Sequence, residues 1–194
     1  MKKIIYLTVL IAGLFSACSK DTVIEKIPEV TASFSRSFFF PRTSTTESVV
    51  TNSSSAITVN SAYNSTQALV IGLSVTLPSG IEQVGLIVKK DRIKSGLVGD
   101  YLISPFLTQG KPEGDIEVTY GFSKTPPATF FMLPGAADGV LHITGYNEKH
   151  KMITGNFTFR INSDKDPRVA TSTVWEITQI DVNGSFENLI IKPE

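Results

Sequence analysis

From Thr31 onward apolar and polar residues alternate with a period of two, the pattern of strands that bury one face. Phe34, Ser35, Arg36, Ser37 and Phe38 alternate in the first such run, and Phe39-Phe40 then meets Pro41, which stops the strand. Arg42 to Ser55 is rich in Ser and Thr, and reads either as a surface loop or as a polar edge hairpin around Val49 and Val50. Leu69, Ile71, Leu73, Val75 and Leu77 form the clearest strand, ended by Pro78-Ser79-Gly80, with Val84 to Val88 as its hairpin partner. Lys89-Lys90-Asp91-Arg92 reads as a solvated turn. Leu97–Ser104, Ile116–Phe122 and Ala128–Leu133 predict further strands between Gly, Pro and charged punctuation.

The C-terminal third is the most regular. Leu141, Ile143 and Gly145 alternate with His142, Thr144 and Tyr146, and Asn147-Glu148-Lys149-His150 turns the chain. On the returning strand Ile153, Gly155, Phe157, Phe159 and Ile161 share one face, with Thr154, Asn156, Thr158 and Arg160 on the other. Thr173–Val182 and Ser185–Ile191 predict two more strands. No window after Cys18 that is long enough for a helix sustains a 3.6-residue period. The fold class is therefore all-β, an antiparallel sandwich or a partly closed barrel of about ten short strands. Ile153-Thr154-Gly155-Asn156-Phe157 and Val182-Asn183-Gly184-Ser185-Phe186 echo each other. Both glycines fit places where a neighbouring strand or a large aromatic crowds the backbone. Asn183-Gly184 fits a tight type I′ hairpin turn equally well.

The first residues belong to a different regime. Lys2 and Lys3 precede an uncharged run from Ile4 to Phe15, too short to span a bilayer, and Ser16-Ala17 leads to Cys18, the only cysteine. Leu14-Phe15-Ser16-Ala17-Cys18 resembles the bacterial lipobox, in which the thiol receives a diacylglycerol before cleavage. Phe15 stands where Leu, Val or Ile is usual, with Leu14 one place early. The resemblance implies a signal peptide over 1–17 and a mature chain beginning at acylated Cys18. Mixed charges, isolated apolar residues and a proline up to Val30 read as a tether over 18–30, and the alternation places one all-β domain over 31–194. Ser19-Lys20-Asp21 is similar to the short acid-containing signals that send Bacteroidota lipoproteins to the cell exterior. Asp21-Thr22-Val23 is similar to O-glycosylation sites on their exported proteins.

A second resemblance lies in the sheet. Gly139-Val140-Leu141-His142-Ile143-Thr144, Ile153-Thr154-Gly155-Asn156-Phe157-Thr158-Phe159 and Val182-Asn183-Gly184-Ser185-Phe186 resemble the C-terminal half of an uncharacterised family of small all-β Bacteroidota lipoproteins. It implies an all-β fold and an exported location, and it carries over no site residues. Taken together with the lipobox and Ser19-Lys20-Asp21, it makes the expected location the outer membrane, lipid-anchored and exposed at the cell surface.

Charge narrows the partners. The chain has 18 basic and 18 acidic residues, and loss of Lys2 and Lys3 leaves two more acids than bases. That balance gives no footprint for nucleic acid and predicts no polybasic patch for an anionic lipid surface. With Cys18 acylated, no disulfide and no cysteine metal site can form.

Candidate chemistry is sparse. The two histidines, His142 and His150, have no Gly-x-Ser-x-Gly elbow to serve, and fit solvated or ladder positions. Glu113, Asp115, Glu117, Glu176 and Asp181 fit exposed strand positions as readily as a paired-carboxylate site. Asn162, Asp164 and Asp166 place oxygen ligands at alternate positions, as a calcium loop begins, but its later glycine and glutamate are missing and Asp166-Pro167 is a common turn opener. Among the stacking side chains Tyr63, Tyr101, Tyr120, Tyr146 and Trp175, the single tryptophan fits an inter-sheet core. Tyr146, at the hairpin mouth, is the candidate exposed ligand-binding ring. The expectation is a non-enzymatic surface module with no cofactor, held to the membrane by its lipid, that binds glycan, peptide or an envelope protein. The alternative is a structural or adhesive subunit joined by strand addition, with a hydrolase third.

Overall fold

The computed structural model describes residues 26–104, 114–123, 130–132, 137–163 and 178–192. Eleven strands follow in order: β1 (Thr31–Phe40), β2 (Thr45–Thr51), β3 (Ile57–Tyr63), β4 (Leu69–Leu77), β5 (Gly80–Val88), β6 (Gly99–Ile103), β7 (Ile116–Ser123), β8 (Phe130–Met132), β9 (Ala137–Asn147), β10 (Met152–Ser163) and β11 (Thr178–Lys192). Among the described residues the only helical turn is a 3₁₀ turn over Lys90–Arg92. Eight strands close a barrel in the order β10-β9-β6-β7-β5-β4-β3-β11, because β10 also pairs with β11. Two joints of this ring are parallel and short. Ile191 and Lys192 meet Ser61 and Ala62 at one, and Ile103 meets Ile116 at the other. Beside each joint the sheet continues past the ring, into the β1–β2 hairpin from β11 and into β8 from β7. The expected choice between sandwich and partly closed barrel thus resolves as a barrel with two thin seams.

The period-two pattern builds the core directly. Ile153, Phe157, Phe159 and Ile161 are buried, while Asn156, Thr158 and Arg160 are exposed. Leu69, Ile71, Leu73 and Val75 on β4 face Val84, Leu86 and Val88 on β5 in the same interior. Phe34, Phe38 and Phe40 project inward from β1.

Two elements, β3 and β11, depart from the sequence reading, and one open reading resolves. β3 was not expected; Ile57 and Val59 alternate as a strand should, but buried Ser61 interrupts the apolar face. Its hydroxyl donates to the Ile190 carbonyl at 3.0 Å, so the polar residue helps close the β3–β11 joint. The open reading of Arg42–Ser55 resolves as β2, an edge strand. The two strands expected over Thr173–Val182 and Ser185–Ile191 are one in the described part, β11, which runs through Asn183-Gly184 without a turn. The type I′ reading fails there because both residues stay in register with β10 and β1.

The echo between the two Gly-x-Phe motifs has a geometric cause. Antiparallel register sets Gly155 opposite Phe186 and Phe157 opposite Gly184, so each aromatic lies over the other strand's glycine. A methyl group on Gly184 would stand 2.5 Å from Phe157 Cζ and 3.0 Å from the Ser33 carbonyl oxygen. The space that glycine leaves is filled by the ring.

Candidate functional site

The sequence-derived candidates divide between described and undescribed residues. Cys18, Asp164, Asp166, Glu113, Glu176 and Trp175 lie outside the described residues, so the anchor, most of the candidate calcium loop and the expected tryptophan hub are not placed. Asn162 is exposed near the end of β10. Among the described residues no group of three or more His, Cys, Asp or Glu side chains gathers as a metal site. Glu117 and Asp181 sit on different strands, β7 and β11, and Asp181 accepts from Arg160 Nε at 2.6 Å.

The tyrosines lie deeper than the alternation implied for Tyr146. Tyr101 and Tyr120 are fully buried. Tyr146 was expected on the outer face with His142 and Thr144, but Thr154 pairs with Gly145 while the next residue, Gly155, pairs with Ile143. That bulge places Thr144 out of register, and Tyr146 comes opposite buried Ile153. Its ring is half-buried against the core, with Lys151 Nζ 5.9 Å from the ring centroid. Tyr63, at the end of β3, lies near enough that burial first, and the Tyr146 hydroxyl second, push its own pKa up.

His142 lies on the outer face, as expected, but with a partner the sequence did not show. Its Nδ1 is 2.6 Å from Asp100 Oδ1 on the paired strand β6. This hydrogen bond holds the Asp100 carboxyl below the usual carboxylate range. The two groups are solvent-facing, and the β10 residue beside His142 is Asn156.

A buried polar cluster inside the barrel was missed entirely. Arg36 shares the inner face of β1 with Phe34 and Phe38, and reaches across the barrel to Glu82 on β5. Arg36 Nε donates to Glu82 Oε1 at 3.0 Å, Nη2 donates to the same oxygen, and the Tyr120 hydroxyl donates to Oε2 at 2.8 Å. The guanidinium carbon stands 3.8 Å from the Phe38 ring centroid. Burial first, and the Glu82 carboxylate second, push the Tyr120 phenol well above its ordinary value. Arg36 Nη1 is the one buried side-chain donor of the described residues without a partner. A signal existed in the sequence: Arg36 falls two residues from a phenylalanine on each side, on the face destined for the core.

Outside, the sheet presents a polar face. Ser33 and Ser35 on β1, Asn183 and Ser185 on β11, and Asn156 and Thr158 on β10 occupy neighbouring positions on it. They line a groove of about 520 Å³ that ends at Val50, Thr51 and Asn52 beside the β2 edge. Ser33 Oγ and Ser185 Oγ are 2.6 Å apart, and Thr158 Oγ1 donates to Asn183 Oδ1 at 2.6 Å. Among the described residues no charged side chain lines this groove. Its chemistry is that of hydroxyls and carboxamides, which donate and accept hydrogen bonds without demanding a charged ligand.

Comparison with family models, with curated proteins and with solved structures finds no match to the chain. The class that fold and site define is an all-β barrel with a neutral hydrogen-bonding groove on its outer wall.

Proposed function

We propose that this protein is a lipid-anchored module of the bacterial cell envelope, tethered through Cys18 at the outer membrane, that binds a neutral polyhydroxylated ligand such as a glycan without catalysis. The observation that supports binding is the outer-face groove across β1, β11 and β10, walled by Ser, Thr and Asn side chains. Vicinal sugar hydroxyls match paired amide and hydroxyl groups, and a groove of this size holds a short saccharide. Support for the anchor is the Ser16-Ala17-Cys18 ending of the apolar run.

The test is isothermal titration with a panel of neutral oligosaccharides, on the parent and on Asn183→Ala with Asn156→Ala. Binding by the parent, weakened at least tenfold in the double variant, supports the reading. Binding that ignores both asparagines places the ligand elsewhere, and no binding across the panel removes the glycan.

A second reading has its own observation. Among the described residues β2 ends the sheet order, pairs with β1 alone, and offers a seven-residue edge that carries no Pro or Lys to blunt it. Val50 on that strand is 80% exposed. Such an edge fits a strand from a partner envelope protein.

A further inference from the structure

Two neighbouring rows of side chains cross the outer face of the sheet without a break in register. The first runs Asp100, His142, Asn156, Ser185 and Ser33, one residue from each of β6, β9, β10, β11 and β1. The second runs Leu102, Val140, Thr158, Asn183 and Ser35 through the same strands, and ends at Val50 of β2. The groove of about 520 Å³ covers the β10–β11–β1 half of these rows. The rows themselves continue past Asn156 and Thr158, over β9 and β6. Charged residues bracket them, with Asp138, Arg160 and Asp181 in the next row on one side and Glu187 beside Thr31 on the other. Apart from the mutually compensating pair Asp100 and His142, the lane between is uncharged.

Hydrogen-bonding capacity along this lane is spent unevenly. Ser185 with Ser33, and Thr158 with Asn183, satisfy one another. The carboxylate of Asp100 can only accept, so His142 donates to it from Nδ1, and Nε2 of the neutral ring is left as an acceptor. Among the described residues neither that nitrogen nor the Asn156 carboxamide on the next strand has a hydrogen-bond partner. Two residues along β9 and β6 lie half-buried Val140 and Leu102, the latter 40% exposed. An imidazole acceptor, a free carboxamide and an aliphatic floor match the three surfaces of a sugar ring: its hydroxyl protons, its hydroxyl oxygens and its C–H face.

We infer that the groove continues across β9 and β6 into a further subsite, where His142 accepts a ligand hydroxyl and Val140 with Leu102 carries the apolar face of a sugar ring. The ligand is then a linear, neutral oligosaccharide lying across the strands. The inference rests on the saccharide reading of the groove and extends it from a short ligand to a chain. Asp100 is a positioning residue, because its hydrogen bond fixes which imidazole nitrogen meets the ligand. Strand spacing sets the length. Adjacent strands lie about 4.8 Å apart, so the first row measures roughly 19 Å along the sheet from Ser33 to Asp100. A pyranose unit advances by nearly the same step along an extended chain, so successive rings meet successive strands. The bracketing charges, Arg160 paired with Asp181 among them, favour an uncharged chain that stays within the lane.

The test is isothermal titration of the full chain with matched disaccharides and pentasaccharides of the malto, cello, xylo and N-acetylchito series. In the series that binds, the pentasaccharide should bind roughly tenfold more tightly than the disaccharide, the gain from one further hydrogen bond and its apolar contact. His142→Ala should bring that ratio near one. His142→Gln, which returns a hydrogen-bonding group, should restore part of it, and Leu102→Ser should reduce it. A parent ratio near one, or a ratio that His142→Ala leaves intact, would overturn the subsite. The groove would still stand if Asn156→Ala with Asn183→Ala weakened binding. Pentasaccharide binding that needs His142 yet ignores both asparagines would uphold the subsite and count against the groove. No binding in any of the series would remove the groove reading and the subsite together.

Discussion

Phe157 on β10 and Gly184 on β11 form one contact unit: the ring occupies the volume that any side chain at 184 would need. In an ordinary strand interior, replacing glycine by alanine stabilises by about 0.5–1 kcal/mol, because glycine loses more freedom on folding. Here the sign should reverse. Gly184→Ala should lower the urea midpoint, and Phe157→Leu should partly relieve it in the double variant. A Gly184→Ala protein more stable than the parent would show that the ring does not hold this position.

The same strand separates inside from outside. Phe157→Ala should destabilise by about 3–5 kcal/mol, whereas Thr158→Ala, on the exposed face, should stay near 1 kcal/mol. Chemical denaturation of both variants reads the contrast, and equal losses would contradict the barrel orientation of β10.

The Arg36–Glu82–Tyr120 cluster makes a different prediction. Removing one charge of a buried pair strands the other, so Arg36→Met should cost about 3–5 kcal/mol. Arg36→Met with Glu82→Leu should recover most of that loss, because two apolar side chains leave no buried charge. The Tyr120 hydroxyl then loses its acceptor, and adding Tyr120→Phe should restore the remainder. Denaturant midpoints of the single, double and triple variants test this order. A double variant no more stable than Arg36→Met would mean that the interior needs these polar groups for its shape.

How far the sequence reaches can be seen residue by residue. Alternation at Leu69–Leu77 and Ile153–Ile161 was sufficient to place both strands and their buried faces. The pairing partners were not visible, so β11 read as two strands broken at Asn183-Gly184. Local turn chemistry and ring accommodation use the same glycine, and only the neighbouring Phe157 distinguishes them. Tyr146 was misplaced because alternation cannot register a bulge, and one extra residue at Thr144 turns the ring to the other side. Ser61 hid β3 by putting a hydroxyl on a buried face.

Asp100 and His142 give a titration. The His142 hydrogen bond depresses the Asp100 carboxyl in the folded protein, so the group favours folding above its unfolded pKa, and that contribution is lost as pH falls through the lower folded value. Carboxyl chemical shifts followed by NMR should show Asp100 titrating below the ordinary value of about 3.9, and His142→Ala should return it toward that value. An unchanged midpoint in the variant would remove the pairing.

The proposed attachment to the membrane depends on Cys18. The most direct measurement is the intact mass of the N-terminal peptide from protein purified out of the producing cell's membrane fraction. The account predicts a chain beginning at Cys18 and carrying the mass of a diacylglyceryl group, with or without a further acyl chain. An N-terminus at any other residue, or Cys18 bearing a free thiol, would contradict it.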